Sequence, residues 1–330
     1  MRHRFFGPLL ALQVATSAPA PDPFAFFRPS VALTASDRRT LDRGEALARI
    51  VPSEGREVTV FAAVPVNVDG DRLVAWLGRI AALKKSAYVM AIGRFSMPPR
   101  LDDLAALTLD EDEASEVMTC KAEDCGLKLT GAEIAALQST AAGSGGDRHA
   151  RMQEAFRRVV LSRVTGYLAD GDQRTPPSPF AALVAHSTWL TAQMAPLAEY
   201  LTGYPRSSMP GVDTVVYWSK ERLAGKAIIS VTHVSIVRGH DASQPDVMAV
   251  AEGIFATHYV NASLALTAIV RGGSGRPNYL VYLNRSDVDV FGGFFGGMVR
   301  WVAERRLKGE AASVLQGLRR RLESGLPPSE

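Results

Sequence analysis

Three polar side chains stand out in the C-terminal half of the chain because their neighbours are mostly β-branched or apolar: His233, Glu252 and His258. An imidazole and a carboxylate facing one closed cavity are the groups that general acid–base catalysis uses. The same pair can instead orient a ligand hydroxyl, since apolar pockets gain specificity from a few well-placed polar atoms. A third reading is structural or solvent-facing placement, with no ligand at all. If the strand through this region is regular, residues 252, 254, 256 and 258 share one face, and Glu252 and His258 look the same way. Tyr259, Trp218 and Arg94 are further candidates for lining a pocket. Arg285 and Asp287, close together near a strand end, are expected to pair with each other.

Other chemistries lack their signatures. The chain has no G-x-G-x-x-G, no Walker A sequence and no G-x-S-x-G elbow. Gly292-Gly-Phe-Phe-Gly-Gly297 is glycine-rich but lacks the lysine of a phosphate loop. Asn67-Val-Asp-Gly70 is turn chemistry; it shares part of a calcium-loop pattern but not the full spacing or the terminal Glu. The two cysteines, Cys120 and Cys125, are not spaced as a C-x-x-C redox motif. A zinc site would need two more ligands, which no neighbouring His or Cys supplies. A small disulfide loop is the first expectation, free thiols the second. No cofactor and no metal are expected.

The segment Phe291-Gly-Gly-Phe-Phe-Gly-Gly-Met-Val-Arg-Trp301 is the least ordinary stretch. Its four glycines loosen the backbone just where a long helix should begin. Phe291, Phe294, Phe295, Met298 and Trp301 add apolar bulk, followed by Arg305, Arg306 and Lys308. One reading is a mobile gate that touches a membrane surface transiently. The other is close helix–sheet packing in which the aromatics fill the core.

The elements that must position these residues come next. The chain has 330 residues, 47% hydrophobic and 22% charged, enough for a normal core without metal or disulfide support. Its net charge of +3 gives no reason to expect nucleic acid as a partner. Arg2, His3 and Arg4 precede an uncharged, mostly apolar run from Phe5 to Ala18, with small residues at 15, 17, 18 and 20. That is the pattern of a signal peptide over residues 1–20, which implies export to the periplasm, an oxidising compartment in which a disulfide is expected to form.

The apolar run is too short for a comfortable membrane span. Residues 175–198 also lack charge, but the large apolar residues fall at helical spacing with a polar face between them. A packed amphipathic helix fits that pattern better than a span.

After a Pro- and Phe-containing spacer at 21–33, a short helix is expected over 34–42. Apolar runs at 45–51 and 57–66 flank a Pro-Ser-Glu-Gly turn and predict a β-hairpin. A helix follows at 71–84, then a strand at 87–95. Residues 97–146 are acidic and loop-like, with Thr130 and Glu133 spaced as a capping box. A long helix at about 148–169, a break at Pro176, Pro177 and Pro179, and the amphipathic helix that then runs to about Tyr200 predict a helical hairpin. Strands follow at 213–221, 226–238, 247–259, 262–271 and 277–285, then a helix from about 297 to 324.

The order strand, helix, strand, inserted helices, five strands, long helix resembles the START-like, or helix-grip (SRPBCC), superfamily. The stretch Leu41-Asp-Arg-Gly-Glu-Ala-Leu-Ala-Arg49, the Val58–Val66 strand and Asp71-Arg-Leu-Val-Ala-Trp76 resemble the opening of bacterial exported members. The resemblance covers roughly residues 41–96 and 211–324. It implies an α+β fold in which a curved antiparallel sheet wraps around the long C-terminal helix. The START-like domain would then run over 34–330, with a helical insertion at about 97–210. The resemblance also implies a cavity for a hydrophobic small molecule such as a lipid, sterol or polyketide. Some such proteins carry the ligand and others cyclise or hydrolyse it, and fold alone does not choose. The expected partner is a hydrophobic ligand; an enzyme using Glu252 and His258, or a non-catalytic interaction module, are the rival readings.

Overall fold

The computed structural model describes residues 22–327 except 54, 123, 144–146, 173–177, 224, 274 and 290–295; of residues 223 and 296–303 it describes the backbone alone. Eight strands run through it: β1 (Leu47–Val51), β2 (Glu57–Val66), β3 (Val89–Arg94), β4 (Asp213–Leu223), β5 (Lys226–Arg238), β6 (Val247–Ala256), β7 (Val260–Val270) and β8 (Asn278–Val288). They form one open sheet in the order β1-β2-β8-β7-β6-β5-β4-β3, antiparallel at every pairing. With a long C-terminal helix this is an α+β fold compatible with the helix-grip arrangement. The signal-peptide segment, and Phe291, Phe294 and Phe295, lie outside the described residues.

Helices cover the sheet on both faces. α1 (Ala35–Asp42) opens on a Thr34–Asp37 capping box. α2 (Gly70–Leu77) is capped by Asp69, and α3 (Ile80–Lys84) follows directly. The 71–84 helix predicted as one piece is therefore two, parted at Gly78 and Arg79. Between β3 and β4 come α4 (Glu111–Val117), α5 (Gly131–Ala142), α6 (Arg148–Asp170), α7 (Pro179–Ala185), α8 (Thr188–Gln193) and α9 (Ala195–Gly203). The capping box at Thr130 and Glu133 starts α5 as expected. The second arm of the predicted hairpin is three short helices. Pro196 sits in the first turn of α9, where its missing N–H costs nothing, but its ring would clash in a continuous helix. α10 (Gly296–Glu323) ends the chain, with Met298 and Trp301 in its opening turns.

Strand alternation gives the two faces different side chains. One face, the insertion face, carries Phe61, Val231, Leu264, Leu266, Val281 and Leu283, covered by α5 to α9 and by Phe24–Val31. The other, the α10 face, carries Ala62, Val64, Val234, Ile236, Ala249 and Leu280, packed against α2, α3 and α10. The strands of the centre are apolar on both sides at one end, as expected of a sheet buried between layers.

Close packing on the insertion face depends on one glycine. A Cβ on Gly93 would lie 2.6 Å from Nε1 of Trp218, its partner across β3–β4. That indole is buried and donates to the carbonyl of Asp103 at 2.8 Å, tying the insertion to the sheet. Gly93→Ala is expected to destabilise the protein by about 1–3 kcal/mol through overpacking. In a Trp218→Phe background the penalty should shrink by more than half, measured as a double-mutant cycle in urea. An unchanged penalty would remove the indole as its cause.

Candidate functional site

His233 and Glu252 stand directly opposite each other on β5 and β6, both on the insertion face and both 2% exposed. Tyr167, from α6, reaches between them. Its hydroxyl donates to Glu252 Oε2 at 2.9 Å and lies 2.8 Å from His233 Nδ1. A hydroxyl has one proton, so Nδ1 must carry its own and donate to the tyrosine oxygen. The other ring nitrogen, Nε2, has no hydrogen-bond partner. Tyr204 packs its ring 4.6 Å from the imidazole and stacks on Tyr167. Burial lowers the His233 pKa to about 4, which keeps the ring neutral. Burial, then the nearby Glu252, pushes Tyr167 well above the ordinary tyrosine range. The cluster pins α6 and the Tyr204 segment to the sheet, with its polar groups closed away from solvent.

His258 belongs to a different cluster. β6 pairs Thr232 with Gly253 but Val231 with Phe255, a bulge that inserts Ile254. Phe255, and not Ala256, then takes the face that carries Glu252, so the regular alternation expected from 252 to 258 is broken. His258 lies beyond the strand, 2.8 Å from Glu113 through Nε2 and 2.7 Å from the Gly126 carbonyl through Nδ1. Gly126 directly follows Cys125, which stands at disulfide distance from Cys120, with Cα atoms 4.9 Å apart. His258 thus holds the cysteine loop against the sheet. Tyr259 next to it adopts a left-handed backbone, φ 60°. Arg94 is exposed and makes one long contact, to the Gly78 carbonyl at 3.4 Å. The expected Arg285–Asp287 pair is not formed: Arg285 binds Glu57 at 2.5 Å and Asp287 binds Arg56 at 3.0 Å. Alternate strand neighbours point the same way, but each meets a closer opposite charge across β2–β8.

A second set of polar residues, not anticipated from the sequence, lies on the α10 face. Tyr217, Ser219 and Glu221 of β4, Ser230 and Thr232 of β5, and Tyr282 and Asn284 of β8 share it with Ala251, Gly253, Ser263, Ala265 and Thr267. Most of these are half-buried, whereas their neighbours on the insertion face are closed. The floor is made of small side chains and hydroxyls, flanked by α3 and by α10, which packs on β1 and β2. Lys84 at the end of α3 donates to Glu221 at 2.7 Å and to the Tyr217 hydroxyl at 3.3 Å. The two charged side chains are 30% and 33% exposed. Burial opposes the charge on each, but their mutual attraction outweighs it: Lys84 is held above its ordinary value and Glu221 below. The signal for this face was in the sequence, as Ser, Thr, Gly and Ala on alternate positions of four successive strands.

No protein family, no curated protein and no solved structure matches this chain. The site therefore rests on its own geometry. Among the described residues no three His, Cys, Asp or Glu stand together as a metal site, and no helix is long and apolar enough to cross a membrane. The cysteine pair is compatible with an exported protein.

The His233 cluster has a pH signature. In the unfolded chain the imidazole titrates near 6.5, in the fold near 4. Between those values the unfolded state binds the extra proton, so stability is complete above pH ~6.5 and falls as the pH drops towards 4. The loss should reach roughly 3 kcal/mol. His233→Phe should lower stability at pH 7.5 yet flatten the slope between pH 6.5 and 4 in urea titrations. A slope identical to the parent's would assign the acid sensitivity to another group.

Proposed function

We propose that this protein is an exported, START-like binder of an amphiphilic small molecule, held between the sheet and α10. The observation that carries the reading is the contrast between the two faces of one sheet. The insertion face is filled by Phe, Leu and Val, and beside Thr59 and Trp189 it leaves an enclosed void of only about 10 Å³. The α10 face presents a half-buried floor of Ser, Thr, Ala and Gly side chains across the middle strands. A sheet that had only to be covered would place large apolar residues on both faces. Small residues there leave depth, and the hydroxyls give an otherwise apolar site a few oriented donors and acceptors, as small-molecule sites require. Binding, possible with no group placed for turnover, is the reading favoured over catalysis by Glu252 and His258, which sit in separate closed clusters.

Native mass spectrometry of protein purified gently from an exporting host, followed by organic extraction, tests this. A reproducible bound mass is expected, and it should vanish in Ala265→Trp, which fills the floor from a half-buried position. Uptake of an apolar fluorescent probe should fall about tenfold in the same variant. A parent protein that carries nothing and takes up no probe would move the assignment to an interaction module.

A further inference from the structure

The groove has a polar end with a specific charge balance. Lys84 carries three N–H donors and uses two, on Glu221 and Tyr217. The Tyr217 oxygen accepts from Lys84, which leaves the phenol proton to donate. Ser219 donates to Glu221 at 2.7 Å and lies 3.2 Å from Ser230, so the carboxylate is held from two sides. Across the floor, the Tyr282 hydroxyl accepts from Asn284 at 2.9 Å and feels the charges of Lys84 and Glu221. Lys84 and Tyr217 thus keep one donor each at this corner, while the two formal charges cancel. Arg321 of α10 is committed to the carbonyls of Leu83 and Lys85.

We propose that the Lys84–Glu221–Tyr217 corner anchors the polar end of the ligand and selects an uncharged acceptor oxygen, such as an ester, ketone or amide carbonyl, over a carboxylate. This rests on the reading of the groove as a ligand site. A neutral carbonyl accepts from Lys84 and Tyr217 without disturbing the ion pair. An anion would lose its hydration, find Lys84 already neutralised and face Glu221 at short range, a poor exchange in a partly desolvated site. Glu221 is therefore a specificity residue: it holds Lys84 in place and cancels its charge.

The test uses two fluorescent probes with one tail, an anthroyloxy stearate and its methyl ester, titrated into the full chain at pH 8. The parent is expected to bind the ester at least tenfold more tightly than the acid. Glu221→Gln keeps an acceptor for Ser219 and removes only the charge, so the acid should gain at least tenfold relative to the ester. Tyr217→Phe should weaken the ester several-fold and leave the acid unchanged, and it carries the test if Glu221→Gln melts below the working temperature. Equal binding of both probes in the parent, blocked by Ala265→Trp, would leave the groove in place and overturn the selection. An ester-to-acid ratio that Glu221→Gln does not move, or that Tyr217→Phe does not move, overturns it too. Failure of both probes to bind the parent at all would overturn the groove reading with it.

Discussion

Each strand of an antiparallel sheet sends alternate side chains to opposite sides, and in this protein that rule sets nearly everything else. The middle strands put Val231, Leu264, Leu266, Val281 and Leu283 on one side. An apolar face of that width cannot stay in water, so the chain covers it with the helices between β3 and β4. The opposite side of the same strands carries Ser219, Thr232, Ser263, Thr267 and Asn284. Its cover is lighter: α2 and α3 pack on it, and α10 lies mainly over β1 and β2. One alternation thus produces both a closed core and a half-buried face of small polar residues.

The inserted helices are fixed to the sheet by buried polar contacts as well as by packing. Gln153 of α6 donates to the Leu109 carbonyl and accepts from the Leu109 amide, at 3.0 and 2.8 Å. Lys220, buried on β4, binds Asp110 and the Thr108 carbonyl. Such groups add little net stability when satisfied but are costly when mispaired. They therefore choose one seating of the insertion among the many that apolar packing alone would allow.

Much of this fold was legible in the sequence. The hairpin over 45–66, the strand series from 213 and the long last helix follow from period-two and period-3.6 patterning with clear turn residues. The breaks in the insertion were carried by Pro196 and Ser187, whose Oγ bonds back to the Leu183 carbonyl, inside a segment whose apolar spacing reads as continuous helix. The bulge in β6 was signalled only by Gly253, which a single sequence also explains as ordinary turn propensity. The candidate site was the least legible part. Alternation reveals that the two faces differ, but it does not say which of them the inserted helices cover. His233, Glu252 and Trp218 therefore read as pocket residues when they stand on the filled side.

What separates a lock from a ligand site in this sheet is the origin of each polar atom's partner. On the insertion face the partner comes from the inserted segment: Trp218 meets Asp103, Lys220 meets Asp110, His233 and Glu252 meet Tyr167, and His258 meets Glu113 and Gly126. Among the small polar residues at the middle of the α10 face the described partners are neighbours in the sheet itself, apart from Lys84: Ser219 with Glu221 and Ser230, Asn284 with Tyr282 and Ser286. Hydroxyls that bond only sideways keep lone pairs and protons for whatever lies above them. The same residue types that act as fastenings on one side thus retain binding capacity on the other, and the difference arises from which face the chain chose to cover.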